Sequence, residues 1–302
     1  MKNTIKALLL VLGLLAGASE AAFPQTQMGL SSGRAASPSL WHVKGEQGQV
    51  YLFGSVHVLP PDVKWRMARI QSALERSDVF VFEVPEDAAA VAQLRGLIQT
   101  QGYLPAGQSL HGQLHPAALP DYDAALKNSG LDAAQVEHER PWLAGIQMMF
   151  AEMAKLSFAA GNGVDTILMA EALKNHRQVR YLETIADQFA LLAPDDRTLE
   201  VQEFEAGLKD LRDVAGGIEP MVRAWSNGDQ AKLDELINGD LDEFPEARKL
   251  LLDDRNKRWA PQIEAMLKEK HTFFITVGAG HLTGAQGVPA LLRQARYKVE
   301  GP

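Results

Sequence analysis

A four-residue pattern, Gly-x-x-His, occurs twice in the sequence, with Gly54 and His57 in the first copy and Gly278 and His281 in the second. Each copy directly follows an apolar run that predicts a buried strand. Residues just beyond the carboxyl ends of strands line the crevice in which α/β sheets bind ligands, and glycine lets the chain turn sharply there. We therefore expect the two histidines to meet at one edge of a sheet, although they are far apart in the sequence.

A carboxylate lies in an unusual place between the two histidine motifs. Glu83 stands near the end of an otherwise apolar run at residues 79–84, where an ionised carboxylate is unfavourable unless it is paired, protonated or bound to metal. Two histidines and one glutamate form a standard ligand set for a divalent ion that activates water. The sequence therefore predicts His57, Glu83 and His281 as catalytic residues and metal ligands. The alternative is that the histidines make loop hydrogen bonds and that Glu83 faces solvent or caps a helix.

Four further polar residues are predicted to support the site or to bind substrate. Asp165, at the predicted start of a helix, is interpreted as an N-cap, with orientation of a metal-bound histidine as the alternative. Glu183 ends an apolar strand and is either a site residue or an exposed strand end. Arg255 is interpreted as a clamp for a substrate carboxylate or a partner of Glu83 or Glu183, and the alternative is an ion pair on a helix surface. Asn256 adjoins Arg255 and carries the least specific signal of the four.

The elements that must position these residues indicate an α/β fold: a central mixed sheet flanked by helices, with a large helical middle section. Strands are predicted at residues 40–43, 50–53, 79–84, 179–183, 272–277 and 297–299. Two glycines between the first two strands indicate a hairpin. Helices are predicted at residues 65–76, 88–101, 115–128, 141–160, 164–175, 200–215, 218–227, 253–270 and 287–295.

Composition and charge exclude several classes of protein. The chain has 302 residues, of which 46% are hydrophobic and 23% charged, and this is the composition of a globular protein rather than of a disordered, collagen-like or coiled-coil chain. It contains no cysteine, so disulfides, thiolate zinc sites and cysteine nucleophiles are excluded. The formal net charge of -8 disfavours a positively charged surface for nucleic acid. We therefore expect chemistry based on histidine and carboxylate groups, and no nucleic-acid partner.

The amino-terminal residues have the pattern of a secretory signal peptide. Two lysines precede an apolar run at residues 7–18, and small residues near Ala21 suit cleavage. The apolar run is short for a membrane span, so cleavage is expected, with a retained signal anchor as the alternative. We expect a signal peptide at residues 1–21, a flexible leader at residues 22–39 and one domain at residues 40–302. That domain would be periplasmic or extracellular, without a stable membrane anchor after cleavage.

The sequence resembles the TraB/GumN family, whose relatives include the Tiki metalloproteases. The resemblance extends from about Trp41 to Val299. It is carried by residues 52–60 around the first motif, Trp65, residues 77–78 and 82–84, residues 163–165, residues 182–184 with Gln188, Arg255, Asn256, Trp259, and residues 277–282 with Gly284. The resemblance implies a fold like that of erythromycin-esterase-type and ChaN-like proteins, with the site on a central sheet. It also implies metal-dependent hydrolysis by His57, Glu83 and His281.

Three functional hypotheses are compatible with the candidate site. The leading one is a soluble exported hydrolase, with peptides as one substrate class, that uses a divalent ion such as manganese, cobalt or zinc. The second is a metal-independent esterase in which a histidine and a glutamate provide general-base catalysis. The third is a non-catalytic periplasmic protein that binds a ligand, or serves in assembly, through the same crevice. The sequence specifies neither the peptide or small-molecule substrate nor the oligomeric state.

Overall fold

The structure, a computed structural model, describes residues 35–156, 160–194, 196–242 and 245–302. The predicted signal peptide and residues 22–34 of the predicted leader lie outside the described residues. Within the described ranges, none of the helices combines the length and the apolar character that a membrane span requires.

A six-stranded mixed sheet lies at the centre of the described chain. Its strands are β1 (Leu40–Lys44), β2 (Gln49–Ser55), β3 (Val79–Phe82), β4 (Gln178–Tyr181), β5 (Thr272–Gly278) and β6 (Val299–Glu300). Their order in the sheet is β4-β3-β5-β2-β1-β6. The four strands from β4 to β2 run parallel to their neighbours, whereas β1 and β6 are antiparallel additions at one edge. The predicted mixed sheet and its amino-terminal hairpin are thus confirmed.

Alternating side chains give the sheet two buried faces. On one face, Phe53 and Phe274 lie with ring centroids 5.8 Å apart and belong to the larger apolar core. On the other face, Leu52 and Ile275 pack with Trp259 in a second core. Because helices cover both faces, the central strands are apolar at almost every position, as is usual for parallel strands. This explains why they were recognisable from sequence as continuous apolar runs.

Most of the helices come from the middle of the chain, as predicted. They are α1 (Ala68–Arg76), α2 (Ala88–Gln101), α3 (Leu110–Gln113), α4 (Leu119–Ser129), α5 (Ala133–Val136), α6 (Pro141–Lys155), α7 (Val164–Lys174), α8 (Ile185–Phe189), α9 (Arg197–Gly207), α10 (Val214–Asn227), α11 (Gln230–Asp242), α12 (Pro245–Arg248), α13 (Asp254–Met266) and α14 (Val288–Gln294). Short 3₁₀ helices lie at Ala160–Asn162, Asp210–Asp213 and Ala279–Leu282, and a π-helix lies at Lys249–Asp253.

Local sequence explains where helix boundaries differ from prediction. The helix expected over residues 115–128 begins later, as α4, with Pro120 in its first turn. Proline is tolerated there because a first-turn N–H has no partner within the helix. The helix expected over residues 200–215 is divided into α9 and α10. The 3₁₀ helix Asp210–Asp213 lies between them, and Asp213 caps α10, because its side chain accepts a hydrogen bond from the N–H of Gly216.

The four parallel strands end at one edge of the sheet. Ser55 of β2 pairs with Gly278 of β5, and Phe82 of β3 pairs with Tyr181 of β4. The segments that leave these strands therefore start side by side. Open α/β sheets bind ligands at the carboxyl ends of their parallel strands, so a ligand site is expected at this edge.

Candidate active site

The structure brings the seven predicted site residues together at the carboxyl edge of the sheet. Four of them follow the parallel strands, and three lie in the first turns of helices. They are His57, Glu83, Glu183 and His281 after β2, β3, β4 and β5, Asp165 in α7, and Arg255 and Asn256 in α13. The two histidines thus lie at one edge of the sheet, where they were expected to meet, whereas the chemical roles of all seven residues remain predictions.

Gly278 is the point at which the two histidines and Glu83 meet. Its N–H donates a 2.6 Å hydrogen bond to Glu83 Oε1. A methyl group added to Gly278 would lie 3.4 Å from that oxygen and 3.6 Å from both His57 Nε2 and His281 Cδ2. The three side chains therefore surround the space in front of Gly278, where an added methyl group would be in ordinary van der Waals contact with each of them.

The carboxylate of Glu83 is buried and paired on both oxygens. Oε1 accepts the bond from Gly278, while Oε2 accepts bonds from Arg255 Nη2 at 2.5 Å and from Gln188 Nε2 at 3.3 Å. The solvent-facing alternative is therefore wrong. These bonds offset the penalty of burying a charge at the end of a strand, and they direct both oxygens toward protein groups.

Arg255 is fully buried, with 0% of its surface exposed. Its Nε lies 3.0 and 3.1 Å from the two oxygens of Glu183, and its Nη2 contacts Glu83. Its Nη1 contacts His281 Nε2 at 3.0 Å and the carbonyl oxygen of Leu251 at 3.2 Å. Burial alone would lower the pKa of Arg255, but the two carboxylates more than offset this and raise it. The alternative of an ion pair on a helix surface is wrong, and the guanidinium donors are committed to the protein.

Glu183 is also buried, at 8% exposure, so the alternative of an exposed strand end is wrong. Besides its bonds with Arg255, its Oε1 accepts a 3.1 Å bond from Arg258 Nη2, whose side chain is 55% exposed. The following residue, Thr184, begins α8 with a capping box. The end of β4 is therefore tied to α13 by two arginines and leads directly into a helix.

His281 is held as a neutral imidazole. Its Nδ1–H donates to Asn256 Oδ1 at 2.7 Å, because Arg255 can act only as a donor and occupies Nε2. Burial lowers the pKa of His281 well below its ordinary value, and the positive charges of Arg255 and His57 lower it further. Both ring nitrogens are thus paired within the protein, and the function of Asn256 in this arrangement is to orient His281.

His57 is paired on one nitrogen only. Its Nδ1–H donates to Asp165 Oδ2 at 2.6 Å, whereas Nε2 is buried and has no partner among the described residues. Burial alone would lower the pKa of His57, but Asp165, followed by Glu83 and Glu86, raises it to about 9. The N-cap interpretation of Asp165 is wrong: the N-cap position of α7 is Gly163, and the carboxylate orients His57 instead.

Gly163 explains how α7 reaches His57. A methyl group on Gly163 would lie only 2.5 Å from the carbonyl oxygen of His57, so a larger residue would push the helix away. The next N–H, that of Val164, donates to the carbonyl oxygen of Val56 at 3.1 Å. These close backbone contacts place Asp165 within hydrogen-bond distance of the imidazole.

A small cavity beside His57 is lined by polar residues that sequence reasoning did not select as site residues. They include Glu86, Gln188, Thr276 and Ser55. Burial, followed by the nearby carboxylate of Asp165, raises the pKa of Glu86 to about 8. The available signals were weak: Thr276 is a hydroxyl in an apolar strand, and Glu86 closely follows Glu83 in the sequence.

The arrangement of the predicted ligands bears on the predicted metal ion. Among the residues that the structure describes, no three His, Asp or Glu side chains are placed to hold one. The guanidinium of Arg255 contacts both Glu83 and His281, and a cationic group in this position competes with a metal for the same donor atoms. In this arrangement the predicted set does not fit a divalent ion. The metal remains a prediction, to be tested by measurement.

Comparisons with known proteins identify relatives over nearly the whole chain. An uncharacterized protein of Treponema pallidum (strain Nichols) is 22% identical over 299 residues, covering 88% of this chain and 86% of the relative. Uncharacterized protein YbaP of Escherichia coli (strain K12) is 22% identical over 250 residues, covering 80% of this chain and 87% of the relative. Metalloprotease TIKI1 of Danio rerio is 24% identical over 314 residues, covering 86% of this chain and 62% of the relative.

No solved structure matches the chain. The model of the TraB/PrgY/gumN family, by contrast, matches residues 39–301, a range that includes all six strands and every candidate site residue. The chain therefore belongs to the TraB/PrgY/gumN family.

Proposed function

We propose that this chain is a hydrolase in which His57 is the general base and Asp165 orients it. One observation carries the proposal: His57 Nδ1 is fixed by Asp165 at 2.6 Å, while Nε2 has no partner in the described part of the chain and borders a polar cavity. A histidine that is oriented by a carboxylate on one nitrogen and free on the other is the arrangement that general-base catalysis requires.

In the proposed reaction, His57 Nε2 accepts a proton from a water molecule as the water oxygen attacks the carbonyl carbon of the substrate. The new C–O bond replaces the bond to the leaving group, which takes the proton from His57 as it departs. Asp165 stabilises the imidazolium formed between these steps. Because the pKa of His57 is raised to about 9, the base form increases with pH, and kcat/KM should rise toward pH 9.

Peptides and esters are the proposed substrate classes, because both present a carbonyl carbon to water. The relative named as a metalloprotease favours peptides. The match covers only 62% of that relative, so its name supports a substrate class and does not establish an activity for this chain. A peptide library and a panel of esters are therefore the first substrates to examine.

The test is turnover of these substrates by the purified chain and by the His57→Ala and Asp165→Asn variants. Loss of a general base lowers kcat by roughly 10²- to 10⁴-fold, so the His57 variant should lose activity by that factor. Ser77→Ala is a suitable control, because Ser77 is buried at the end of α1 and its hydroxyl donates to the Ala73 carbonyl oxygen. Turnover that is equal in the wild type and the His57→Ala variant would refute the proposal. Tight ligand binding without product would favour a binding protein.

Metal dependence is a separate question with its own test. Bound manganese, cobalt and zinc can be measured in the wild type and in the His57→Ala, Glu83→Ala and His281→Ala variants, together with activity after exhaustive chelation. A stoichiometric ion that is lost in all three variants would establish the metal site and would require Arg255 to release Glu83 and His281. Activity that survives chelation would establish a metal-independent hydrolase.

We also propose that the chain is exported, on the strength of the signal-peptide pattern in its first 21 residues. Cell fractionation and amino-terminal sequencing test this. Mature protein that begins at residue 22 in the periplasm or medium supports export, whereas an intact amino terminus in the cytoplasm contradicts it.

A further inference from the structure

The cavity beside His57 has the size of a single water molecule. The space open to the centre of a water molecule is about 10 Å³, close to the minimum that one buried water needs. The cavity lies at the carboxyl ends of β2, β3 and β5, and His57, Asp165 and Gln188 form part of its wall. A substrate side chain does not fit this volume, but a nucleophile of one heavy atom does.

Five buried polar atoms of the cavity residues have no hydrogen-bond partner among the described residues. They are Ser55 Oγ, His57 Nε2, Asp165 Oδ1, Gln188 Oε1 and Thr276 Oγ1. Buried polar atoms are almost always paired with protein or with ordered water, because leaving them unpaired is unfavourable. A water molecule can donate two hydrogen bonds and accept two, and the five atoms include acceptors, hydroxyls and the imidazole nitrogen. The chemistry of this wall therefore matches water.

Strand geometry explains why two hydroxyls lie on this wall. Successive strand side chains point to opposite faces, so Ser55 shares the face of Phe53, and Thr276 shares the face of Phe274. Those two aromatic residues belong to the larger apolar core, where a hydroxyl without a partner is unfavourable. Ser55 and Thr276 are 2% and 1% exposed, so they do not reach bulk solvent. Their placement is consistent with a bound polar ligand at the end of the apolar face.

We infer that Ser55, Thr276 and Gln188 are positioning residues that hold the water molecule from which His57 removes a proton. This inference rests on the proposed hydrolase function. The O–H bond of this water breaks as its proton moves to His57 Nε2, and the freed electron pair forms the new C–O bond to the substrate carbonyl carbon. The bond to the leaving group then breaks, and the leaving group takes the proton from His57.

Crystallography of the full chain tests the water site without reference to turnover. We expect one oxygen-sized density peak within 3.2 Å of His57 Nε2 and of Thr276 Oγ1 or Ser55 Oγ, the distance of an ordinary hydrogen bond. The peak should persist in Thr276→Ser, which keeps the hydroxyl, and weaken in Thr276→Val, which replaces it by a methyl group. A dry cavity would overturn the inference. A peak with anomalous scattering would also overturn it, because it would mark a metal ion.

The change in Tm caused by Thr276→Val provides a second test, because its sign depends on whether the cavity holds water or is dry. If a water bonds Thr276, then Thr276→Val removes a hydrogen bond and should lower Tm. Thr276→Ser keeps the hydroxyl and its hydrogen bond, so Tm should fall less. In a dry cavity the hydroxyl is unpaired, so its replacement by a methyl group should raise Tm. Ser77→Ala, which removes a paired buried hydroxyl far from the site, gives the reference loss for one hydrogen bond.

Partitioning between water and methanol tests whether this water is the nucleophile. In wild type the cavity excludes the methyl group of methanol, so the free acid should be the only acyl product, released together with the leaving group. Thr276→Ala enlarges the cavity and should raise the ratio of methyl ester to acid by roughly tenfold or more relative to Thr276→Val, which conserves its volume. In Thr276→Val, kcat should fall by roughly ten- to a hundredfold, as expected for a misplaced reactant, with recovery in Thr276→Ser.

The outcomes separate this inference from the proposed function. Density for a water together with full turnover in Thr276→Val would make the water structural and overturn its nucleophilic role. Absence of hydrolysis in wild type would refute the proposed function and with it the nucleophilic role, while crystallography would still decide whether the site binds water. Loss of activity in His57→Ala with normal activity in both Thr276→Val and Ser55→Ala would retain the general base but refute the positioning residues.

Discussion

His57 and His281 have the same side chain in opposite electrostatic surroundings. His57 faces the carboxylates of Asp165, Glu83 and Glu86, which raise its pKa, while burial and the guanidinium of Arg255 lower the pKa of His281. Titratable groups whose environments separate their pKa values mark a division of roles in active sites. This separation supports the proposed role of His57 in proton transfer and is consistent with a fixed, neutral hydrogen-bonding role for His281.

Replacing Asp165 by asparagine should lower the pKa of His57. The substitution removes both the negative charge and the 2.6 Å charge-assisted bond, while the burial that opposes protonation remains. The pKa should fall by roughly 1 to 3 units, as expected for loss of an adjacent opposite charge. An NMR titration of the imidazole resonances measures it. Asp123→Asn, an exposed aspartate, is the matched control, and a pKa unchanged by Asp165→Asn would contradict the assignment.

Replacing Gly278 by alanine should impair function much more than stability. The added methyl group would lie 3.4 to 3.6 Å from Glu83 Oε1, His57 Nε2 and His281 Cδ2, which is ordinary contact rather than a clash, but it would occupy the space between the proposed general base and its neighbours. We expect Tm to change by only a few degrees and turnover of the identified substrate to fall roughly a hundredfold.

Gly96→Ala provides the control for that comparison, because nothing lies within 4 Å of the added methyl group in helix α2. That substitution should increase stability by about 0.5–1 kcal/mol, as is usual for glycine in a helix interior, and should leave turnover unchanged. Full activity in Gly278→Ala would show that the space around Gly278 is not part of the site.

At the scale of elements, α13 is joined to three strand ends by one side chain. Arg255 contacts Glu83 after β3, Glu183 after β4 and His281 after β5. The π-helix that immediately precedes α13 supplies the Leu251 carbonyl to the same guanidinium. Irregular helical turns of this kind are frequent at functional sites. The start of α13 is thus fixed relative to the carboxyl edge of the sheet, and the geometry of the site depends on it.

Replacing Arg255 by methionine should destabilise the fold strongly. It would leave Glu83 and Glu183 buried without their shared cation, and breaking a buried pair in this way typically costs about 3–5 kcal/mol. Arg258→Met is the matched control, since Arg258 also contacts Glu183 but is 55% exposed. An exposed pair contributes about 0–1 kcal/mol. Urea denaturation of both variants measures the difference, and equal losses would contradict the structural importance of the buried network.

The elements also show what the sequence could predict. Apolar runs identified the central strands, and the carboxyl-edge rule then placed His57, Glu83 and His281 together without any contact information. For Arg255 the sequence left a substrate clamp and a pairing with Glu83 or Glu183 open, and the structure shows the pairing with both carboxylates. Its contact with His281 was not predicted, because only the fold brings these two side chains together. Asp165 was misassigned as a cap, because a carboxylate in a first helical turn has the same local pattern whether it bonds a backbone N–H or a distant imidazole.

At the scale of the whole molecule, the site lies where the two faces of the sheet end. His57 and its cavity belong to the face of the larger core, while Trp259, whose ring centroid is 4.4 Å from that of His281, belongs to the second core. Packing on both faces therefore determines the positions of the titratable groups. Protonation of the site and stability of the fold should consequently be linked.

The free energy of unfolding should fall as pH rises from about 6.5 to 9. The folded-state pKa values of His57, about 9, and Glu86, about 8, lie above the ordinary values of 6.5 and 4.5. The folded chain therefore holds more protons than the unfolded chain in this range. The resulting stabilisation is complete below the ordinary pKa of each group and is lost as pH rises through the raised value.

His57→Gln should flatten this dependence, because a group whose protonation differs fully between the two states changes stability by about 1.4 kcal/mol per pH unit. Urea denaturation at several pH values measures the slope. Comparing Glu86→Gln with the double variant Glu86→Gln/His57→Gln isolates the contribution of His57 to the slope. His138→Gln is the control, because His138 is exposed. If the free energy of unfolding depends on pH in the same way with and without His57, its pKa is the same in the folded and the unfolded chain. That result would contradict the stabilisation of the His57 imidazolium by the nearby carboxylates.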